Sequence, residues 1–130
     1  QVRVVDYKTG KVLDDDEKIT DDNAEAIADK IFAEDIKERP KIALQFFIYD
    51  LLVQDHPLAK GRQIYNCVYS TARLFKEPPM NVPRNEKFFE AVSHRLGETL
   101  QEMYSLDVPF RRTKDEKVCE YCDFKMICGR

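Results

Sequence analysis

The sequence lacks an apolar run of the length of about 18 residues that spans a bilayer, and it lacks the basic segment and apolar core of a signal peptide. It also contains no internal repeat and no low-complexity tract. A net charge of -3 argues against a protein that coats nucleic acid by charge alone. We therefore expect a cytoplasmic protein with no membrane partner, and 130 residues that are 43% hydrophobic predict one compact domain.

The first residue is Gln1 rather than an initiator methionine, and a strand-like run follows it at once over residues 2–5. No cap or turn precedes that run. We therefore expect this chain to be a piece of a longer protein. Its charge is uneven, because acids greatly outnumber bases over residues 14–38 and bases lead over residues 60–112.

Hydrophobic spacing and turn residues divide the rest of the chain into segments. Two of them are distinctive: an acidic segment that reads as a surface helix outside the core, and a helix that is apolar on most sides and should lie deep. The segments are a loop over 8–19, the acidic helix over 20–39, the apolar helix over 41–54, a strand at a possible sheet edge over 62–75, a loop over 76–83, an amphipathic helix over 85–104 and an irregular cysteine-rich tail over 109–130.

Asp6 and Lys8 stand two residues apart in the opening strand, so their side chains share one face of it. One interpretation is an ion pair at the end of the strand. The other is a phosphodiester site, where a carboxylate holds a hard divalent cation and an ammonium group orients water and offsets developing negative charge. The pair alone favours the first interpretation.

Gln45 and Tyr49 are four residues apart and share one face of the apolar helix. They are either a hydrogen-bonded core amide and a tyrosine whose hydroxyl reaches the surface, or groups that line a cleft with Asp6 and Lys8. Taken alone, they favour the structural role.

Cys119, Cys122 and Cys128 form the pattern C-x-x-C-x-x-x-x-x-C. Nothing indicates secretion and three cysteines leave one unpaired, so a disulfide framework is not expected. Thiolates at this spacing bind zinc or an iron-sulfur cluster, which normally takes four ligands. Cys67 reads as a small buried residue, so the fourth ligand is expected to lie outside this chain.

In order along the chain, the segments VVDYKTGK, QFFIY and CEYCDFKMICG resemble the C-terminal half of a RecB-like nuclease domain of the PD-(D/E)XK superfamily, and most closely its AddB-like branch. The resemblance implies a restriction-endonuclease-like α/β (α+β) core with a central mixed sheet flanked by helices and truncated on its N-terminal side. Residues 1–130 would be the C-terminal portion of one such domain, with its cysteine-rich tail at 119–130.

The same resemblance implies roles for individual residues. Asp6 and Lys8 take the places of the acid and the lysine of the (D/E)-x-K motif, and the Tyr7 carbonyl is a further metal ligand. Gln45 and Tyr49 fit the Q-x-x-x-Y motif, so the implied catalytic residues are Asp6, Lys8, Gln45 and Tyr49, with Asp6 and Tyr7 as metal ligands. Cys119, Cys122 and Cys128 fit three ligands of a four-iron four-sulfur (4Fe-4S) cluster.

The implied activity is Mg²⁺- or Mn²⁺-dependent hydrolysis of DNA in recombination and repair, exonuclease-like, often with a helicase domain or subunit as partner. The family's upstream metal-binding aspartate, helical acid and first cluster cysteine have no counterpart in this chain. We therefore expect the isolated chain to be inactive and to lack a complete cluster, and its exposed sheet edge could pair with another copy.

Two other functions fit the sequence. One is a nuclease-like fold without catalysis that serves as a DNA-binding or scaffold module. The other is a small zinc-binding interaction domain, in which Cys67 or His94 joins the three C-terminal cysteines in a tetrahedral site.

Overall fold

A computed structural model of the chain describes residues 1–9, 18–33, 39–72, 76 and 79–129. Within these ranges the chain forms three strands, three α-helices and one 3₁₀ helix. They are β1 (Val2–Lys8), α1 (Ala24–Phe32), α2 (Lys41–Val53), β2 (Ile64–Ser70), β3 (Met80–Pro83), α3 (Glu86–Tyr104) and the 3₁₀ helix Glu116–Cys119. The greater part of the predicted loop over 8–19, residues 34–38 of the predicted acidic helix and residues 73–75 of the predicted second strand lie outside the described residues.

The three strands form one mixed sheet in the order β1-β2-β3. β1 and β2 are parallel, with Val2 beside Ile64 and Lys8 beside Ser70. β3 is antiparallel to β2. Parallel neighbours need a long crossover, and here it contains α1 and α2. The predicted mixed sheet flanked by helices is confirmed.

α2 lies between the two parts of the hydrophobic core. On one side Ala43 and Phe47 pack with buried residues of α1 and α3. On the other side Ile42 and Phe46 pack on Val68 of β2 and on Val82 of β3. α2 is therefore the element that joins the sheet to the other two helices.

The interpretation of the acidic helix as a surface element outside the core was wrong. Ala24, Ala28 and Ile31 of α1 are buried in the same cluster as Phe88 and Val92 of α3. The acidic residues occupy the exposed side of α1, whereas alanines and one isoleucine form its inner side.

The strand at 62–75 and the loop at 76–83 also need correction. β2 is the central strand of the sheet rather than an edge strand, because residues of the predicted loop form β3 along its second side. None of the helices in the described ranges is long and apolar enough to cross a membrane.

Candidate active site

Asp6 and Lys8 lie on the half-buried side of β1, while Val5 and Tyr7 are exposed on the other side. Nζ of Lys8 is 2.8 Å from Oδ2 of Asp6. The side chain of Lys8 is 26% exposed to solvent and that of Asp6 is 17% exposed. They form an ion pair that is shielded by the fold but is still reached by solvent.

Gln45 and Tyr49 of α2 complete this arrangement. Nζ of Lys8 donates a hydrogen bond of 2.6 Å to Oε1 of Gln45. The hydroxyl of Tyr49 donates a hydrogen bond of 3.1 Å to Oδ2 of Asp6. The four side chains that the sequence placed in pairs on two separate elements thus form one network, which we call the Asp6–Lys8 network.

The spacing of the two motifs explains why they fit together. Two residues along a strand advance by about 6.6 Å, and four residues along a helix advance by about 6 Å. Gln45 therefore meets Lys8 while Tyr49, one helical turn later, meets Asp6. α2 accordingly crosses this part of β1 in the opposite direction to the strand.

The environment of Tyr49 keeps its hydroxyl protonated. Burial raises the pKa of the Tyr49 phenol above its usual value, and the hydrogen bond to Asp6 and the negative charge of Asp6 raise it further. Tyr49 is therefore a donor to Asp6 at every physiological pH.

Two oxygen atoms beside this network suit a hard divalent cation. Lys8 and Tyr49 both contact Oδ2 of Asp6, and no described residue makes a hydrogen bond or ion pair to its Oδ1. In β1 the N–H of Val2 bonds to Gln63 and the carbonyl of Lys8 accepts from Thr71, both at 2.9 Å. Backbone groups alternate in direction along a parallel strand. Val2 and Lys8 are an even number of residues apart and both bond towards β2, so the carbonyl of Tyr7, next to Lys8, points away from β2.

These two oxygens fit part of a magnesium or manganese site, which takes about six ligands. Among the described residues no group of three or more His, Cys, Asp or Glu side chains could hold a metal ion. Asp6 and Tyr7 would therefore supply only part of such a ligand set. Further oxygen ligands would have to come from water, substrate or other parts of the protein.

The predicted cluster cysteines lie in a tail of tight turns. Cys119 ends the 3₁₀ helix and its carbonyl accepts from the N–H of Cys122, while Arg112 donates to the carbonyl of Cys128. Cys119 and Cys122 are half-buried and Cys128 is exposed. No metal-binding group of three such residues is present in the described ranges, so their role as ligands stays a prediction.

The two residues considered as a fourth zinc ligand lie elsewhere in the fold. Cys67 is buried in β2, and its thiol donates to Oδ1 of Asn81. Burial raises the pKa of the Cys67 thiol, an effect that Arg3 partly offsets. His94 is exposed on α3 beside Glu98. In the part of the chain that is described, neither joins a metal-binding group with the tail cysteines.

A buried polar pair lies next to the network and was not predicted from the sequence. Asp50 follows Tyr49 on α2 and is 2% exposed, and its Oδ1 accepts a hydrogen bond of 2.9 Å from Nδ2 of Asn66. Burial raises the pKa of the Asp50 carboxyl to about 6. An aspartate inside an otherwise apolar helix was the available signal, since such a group needs a partner when it is buried.

A family model described as the PD-(D/E)XK nuclease superfamily matches residues 1–129. Comparison with curated proteins and comparison with solved structures gave no significant match. Proteins of this superfamily are generally hydrolytic nucleases and typically use Mg²⁺ or Mn²⁺. The match covers nearly all of the sequence, and the chain therefore belongs to the PD-(D/E)XK nuclease superfamily.

Proposed function

We propose that this chain carries the D-x-K half of the active site of a DNA nuclease that depends on Mg²⁺ or Mn²⁺. The observation that supports this most is the Asp6–Lys8 network, in which two motifs distant in sequence meet around one carboxylate and one ammonium group. A structural ion pair at a strand end would not require a glutamine and a tyrosine from a second element.

In this proposal Lys8 serves the attacking water. An ammonium group has three N–H donors, and two of them point to Asp6 and Gln45. The third remains for a water molecule or a phosphoryl oxygen. Gln45 and Asp6 hold the group in place, so that its positive charge offsets the charge that develops on the phosphoryl oxygens.

Asp6 would hold the metal ion through Oδ1, together with the carbonyl of Tyr7. Tyr49 contributes by donating to Oδ2, which fixes the orientation of the carboxylate. When bound, Mg²⁺ or Mn²⁺ supplies Lewis-acid stabilisation of the leaving oxygen.

We further propose that residues 1–130 form the C-terminal portion of a RecB-like domain of the AddB branch. The support is the order and spacing of its three motifs. The remaining acids would lie upstream of Gln1, and the isolated chain would be inactive. The longer protein would act in the cytoplasm on DNA in recombination and repair, with an exonuclease-like activity and a helicase domain or subunit as partner.

The test is magnesium-dependent cleavage of linear double- and single-stranded DNA by the full-length protein and by the 130-residue chain. Lys8→Ala should lower the cleavage rate of the full-length protein by about 100- to 1,000-fold, because Lys8 acts on charge that develops in the transition state. DNA affinity should change little. Lys41→Ala, which removes an exposed lysine of α2 outside the network, is the matched control and should cleave normally.

Full turnover by Lys8→Ala would refute the assignment of the D-x-K motif. If the full-length protein cut DNA with neither Mg²⁺ nor Mn²⁺ but still bound it, the nuclease function would be refuted and the binding or scaffold module would take its place.

The three tail cysteines would be ligands of a structural 4Fe-4S cluster, completed by an upstream cysteine of the full-length protein. After anaerobic preparation, that protein should contain iron and inorganic sulfide. Cys122→Ser should lower its cluster content and its thermal stability together, because the cluster holds the tail in place. Cys67→Ser is the control for cluster content, since Cys67 is buried in β2 and its thiol donates to Asn81.

A Cys122→Ser variant with full cluster content would show that Cys122 is not a ligand. One zinc ion per chain in place of iron would instead support the zinc-binding interaction domain.

A further inference from the structure

Burial alone does not determine how α2 is rotated over the sheet. α2 is apolar almost all round, and it buries Phe46 and Phe47 while Ile48 and Leu52 stay 41% and 72% exposed. A surface helix is usually oriented by a single apolar stripe. Because α2 has apolar residues on the exposed side as well, its rotation must depend on polar contacts.

Asp50 and Asn66 provide the deepest of these contacts. They are 2% and 1% exposed, and the amide of Asn66 donates to Oδ1 of Asp50 over 2.9 Å. A rotation of α2 would remove Asp50 from its partner and leave two buried polar groups without a hydrogen bond, which is unfavourable for each group. The pair therefore favours one rotation of α2 over all others.

The amide oxygen of Asn66 has no donor among the described residues, although water does not reach it. An ionised carboxylate can only accept hydrogen bonds, whereas a protonated one also has an O–H donor. A protonated Asp50 could therefore accept from the amide nitrogen of Asn66 and donate to its amide oxygen. The orphaned acceptor is explained if the carboxyl is neutral.

The charged groups near Asp50 do not supply a direct counter-ion. Arg84 and Glu86 both influence the carboxyl, with opposite signs. Arg84 lies 3.0 Å from Glu86 and stacks on the ring of Phe89 at 4.1 Å. The guanidinium group of Arg84 is thus engaged by other partners, and burial dominates the environment of Asp50.

We propose that the buried pair of Asp50 and Asn66 fixes the rotation of α2, through two hydrogen bonds when the carboxyl is protonated and through one when it is ionised. This makes Asp50 a positioning residue for Gln45 and Tyr49. The placement of Tyr49 can be tested without any enzymatic activity. The consequence for DNA cleavage rests on the proposed nuclease function.

The test compares Asp50→Leu with Asp50→Asn and with the swapped variant Asp50→Asn, Asn66→Asp. The readout is the contact of the Tyr49 ring with Asp6, measured as nuclear Overhauser effects (NOEs) by NMR with ¹³C-labelled protein. These NOEs should be present in the wild type, in Asp50→Asn and in the swapped variant, since each retains a hydrogen bond between positions 50 and 66. They should be lost in Asp50→Leu. Asp55→Leu, at an exposed position just past α2, is the control.

A folded Asp50→Leu variant that keeps the NOEs between Tyr49 and Asp6 would overturn the proposal. A direct ¹³C titration of the Asp50 carboxyl in the wild type decides the matter even if Asp50→Leu does not fold. Protonation that persists well above pH 4 supports the neutral pair, and titration near the ordinary value of about 4 refutes it.

In the full-length protein, Asp50→Leu should lower kcat by about 100-fold with little change in DNA affinity, because the groups around Lys8 are misplaced. Asp50→Asn should restore the rate. If the full-length wild type does not cleave DNA, the nuclease proposal fails, while the NOEs of Tyr49 and the titration of Asp50 still decide whether the pair acts as proposed.

Discussion

Two carboxylates lie between α2 and the sheet in contrasting surroundings. Asp6 contacts an ammonium group and a phenol hydroxyl. Among the described residues, the hydrogen-bond partner of the Asp50 carboxyl is a neutral amide, and Asp50 is more deeply buried. The first carboxylate thus has a cationic partner and a hydroxyl donor, whereas the surroundings of the second disfavour its charged form.

The buried Asp50 predicts that stability falls as the pH rises. The pKa of its carboxyl is raised from 3.8 to about 6 by burial, so the folded state binds a proton more tightly than the unfolded state does. The contribution of Asp50 is therefore most favourable below pH 4 and is lost between about pH 4 and pH 6, by about 3 kcal/mol at most.

Urea unfolding of the wild type and Asp50→Asn at several pH values checks this expectation. The variant cannot ionise, so its stability relative to the wild type should increase from pH 4 to pH 7. Equal stability differences at pH 4 and pH 7 would contradict the raised pKa. Asp55→Asn, at an exposed site, corrects for the loss of one surface carboxylate.

Among the helices and strands, those with a regular pattern or a long run of apolar residues could be predicted from the sequence. A short strand and the burial of a helix with small inner residues could not. β1 and α3 have the spacing of their residues as a signal, and α2 is a long apolar run. The prediction of a loop at β3 was wrong because β3 is short and ends in Pro83, a proline that the edge of the described sheet tolerates. The prediction that β2 lies at a sheet edge was wrong because its second neighbour, β3, was not predicted as a strand.

The composition of α1 did not indicate that one of its sides is buried. Ala24 and Ala28 are small and surrounded by acids, so the segment resembles a solvated helix. Their small size is what lets α1 approach α3, where Phe88 and Val92 supply the bulk. Only the packing of α1 against α3 shows that this side of α1 is buried.

The start of α3 provides a prediction at this scale. Oδ1 of Asn85 accepts from the N–H of Phe88 over 2.8 Å, and its amide donates to Asp21 over 2.6 Å. Asn85→Ala should lower the free energy of unfolding by about 1 kcal/mol, since it removes the N-cap of a core helix. Asn85→Ser keeps a capping oxygen and should recover most of that loss in thermal unfolding. Equal losses in the two variants would assign the effect to the Asp21 contact instead.

For the molecule as a whole, the sequence predicted which residues share a face but not which faces meet. The i, i+2 spacing of Asp6 and Lys8 and the i, i+4 spacing of Gln45 and Tyr49 follow from local geometry. Their meeting depends on how α2 packs on the sheet, and it was expected only through the resemblance to a known family. The buried pair of Asp50 and Asn66 belongs to this chain's own packing and was not anticipated.

The edge of β1 predicts self-association of the isolated chain. Among the described residues β1 pairs with β2 alone, so backbone groups of Val5 and Tyr7 face an open edge. Sedimentation equilibrium should show dimers that increase with concentration. Val5→Lys should weaken them, because a charge at an edge strand opposes pairing.

Leu52→Lys is the matched control for this experiment, since Leu52 is an apolar residue of α2 that is 72% exposed. If both variants weakened association equally, general surface hydrophobicity would be the cause. A chain that stays monomeric at all concentrations would contradict the prediction.

The distance in sequence between the members of the Asp6–Lys8 network has a consequence for folding kinetics. The contacts of Lys8 with Gln45 and of Asp6 with Tyr49 join residues 37 and 43 positions apart. Contacts of such separation form slowly because a long loop must close first. A chain still emerging from the ribosome, or one only partly refolded, would hold Asp6 and Lys8 on an unsupported strand, and the network would assemble only when α2 docks, among the last events of folding.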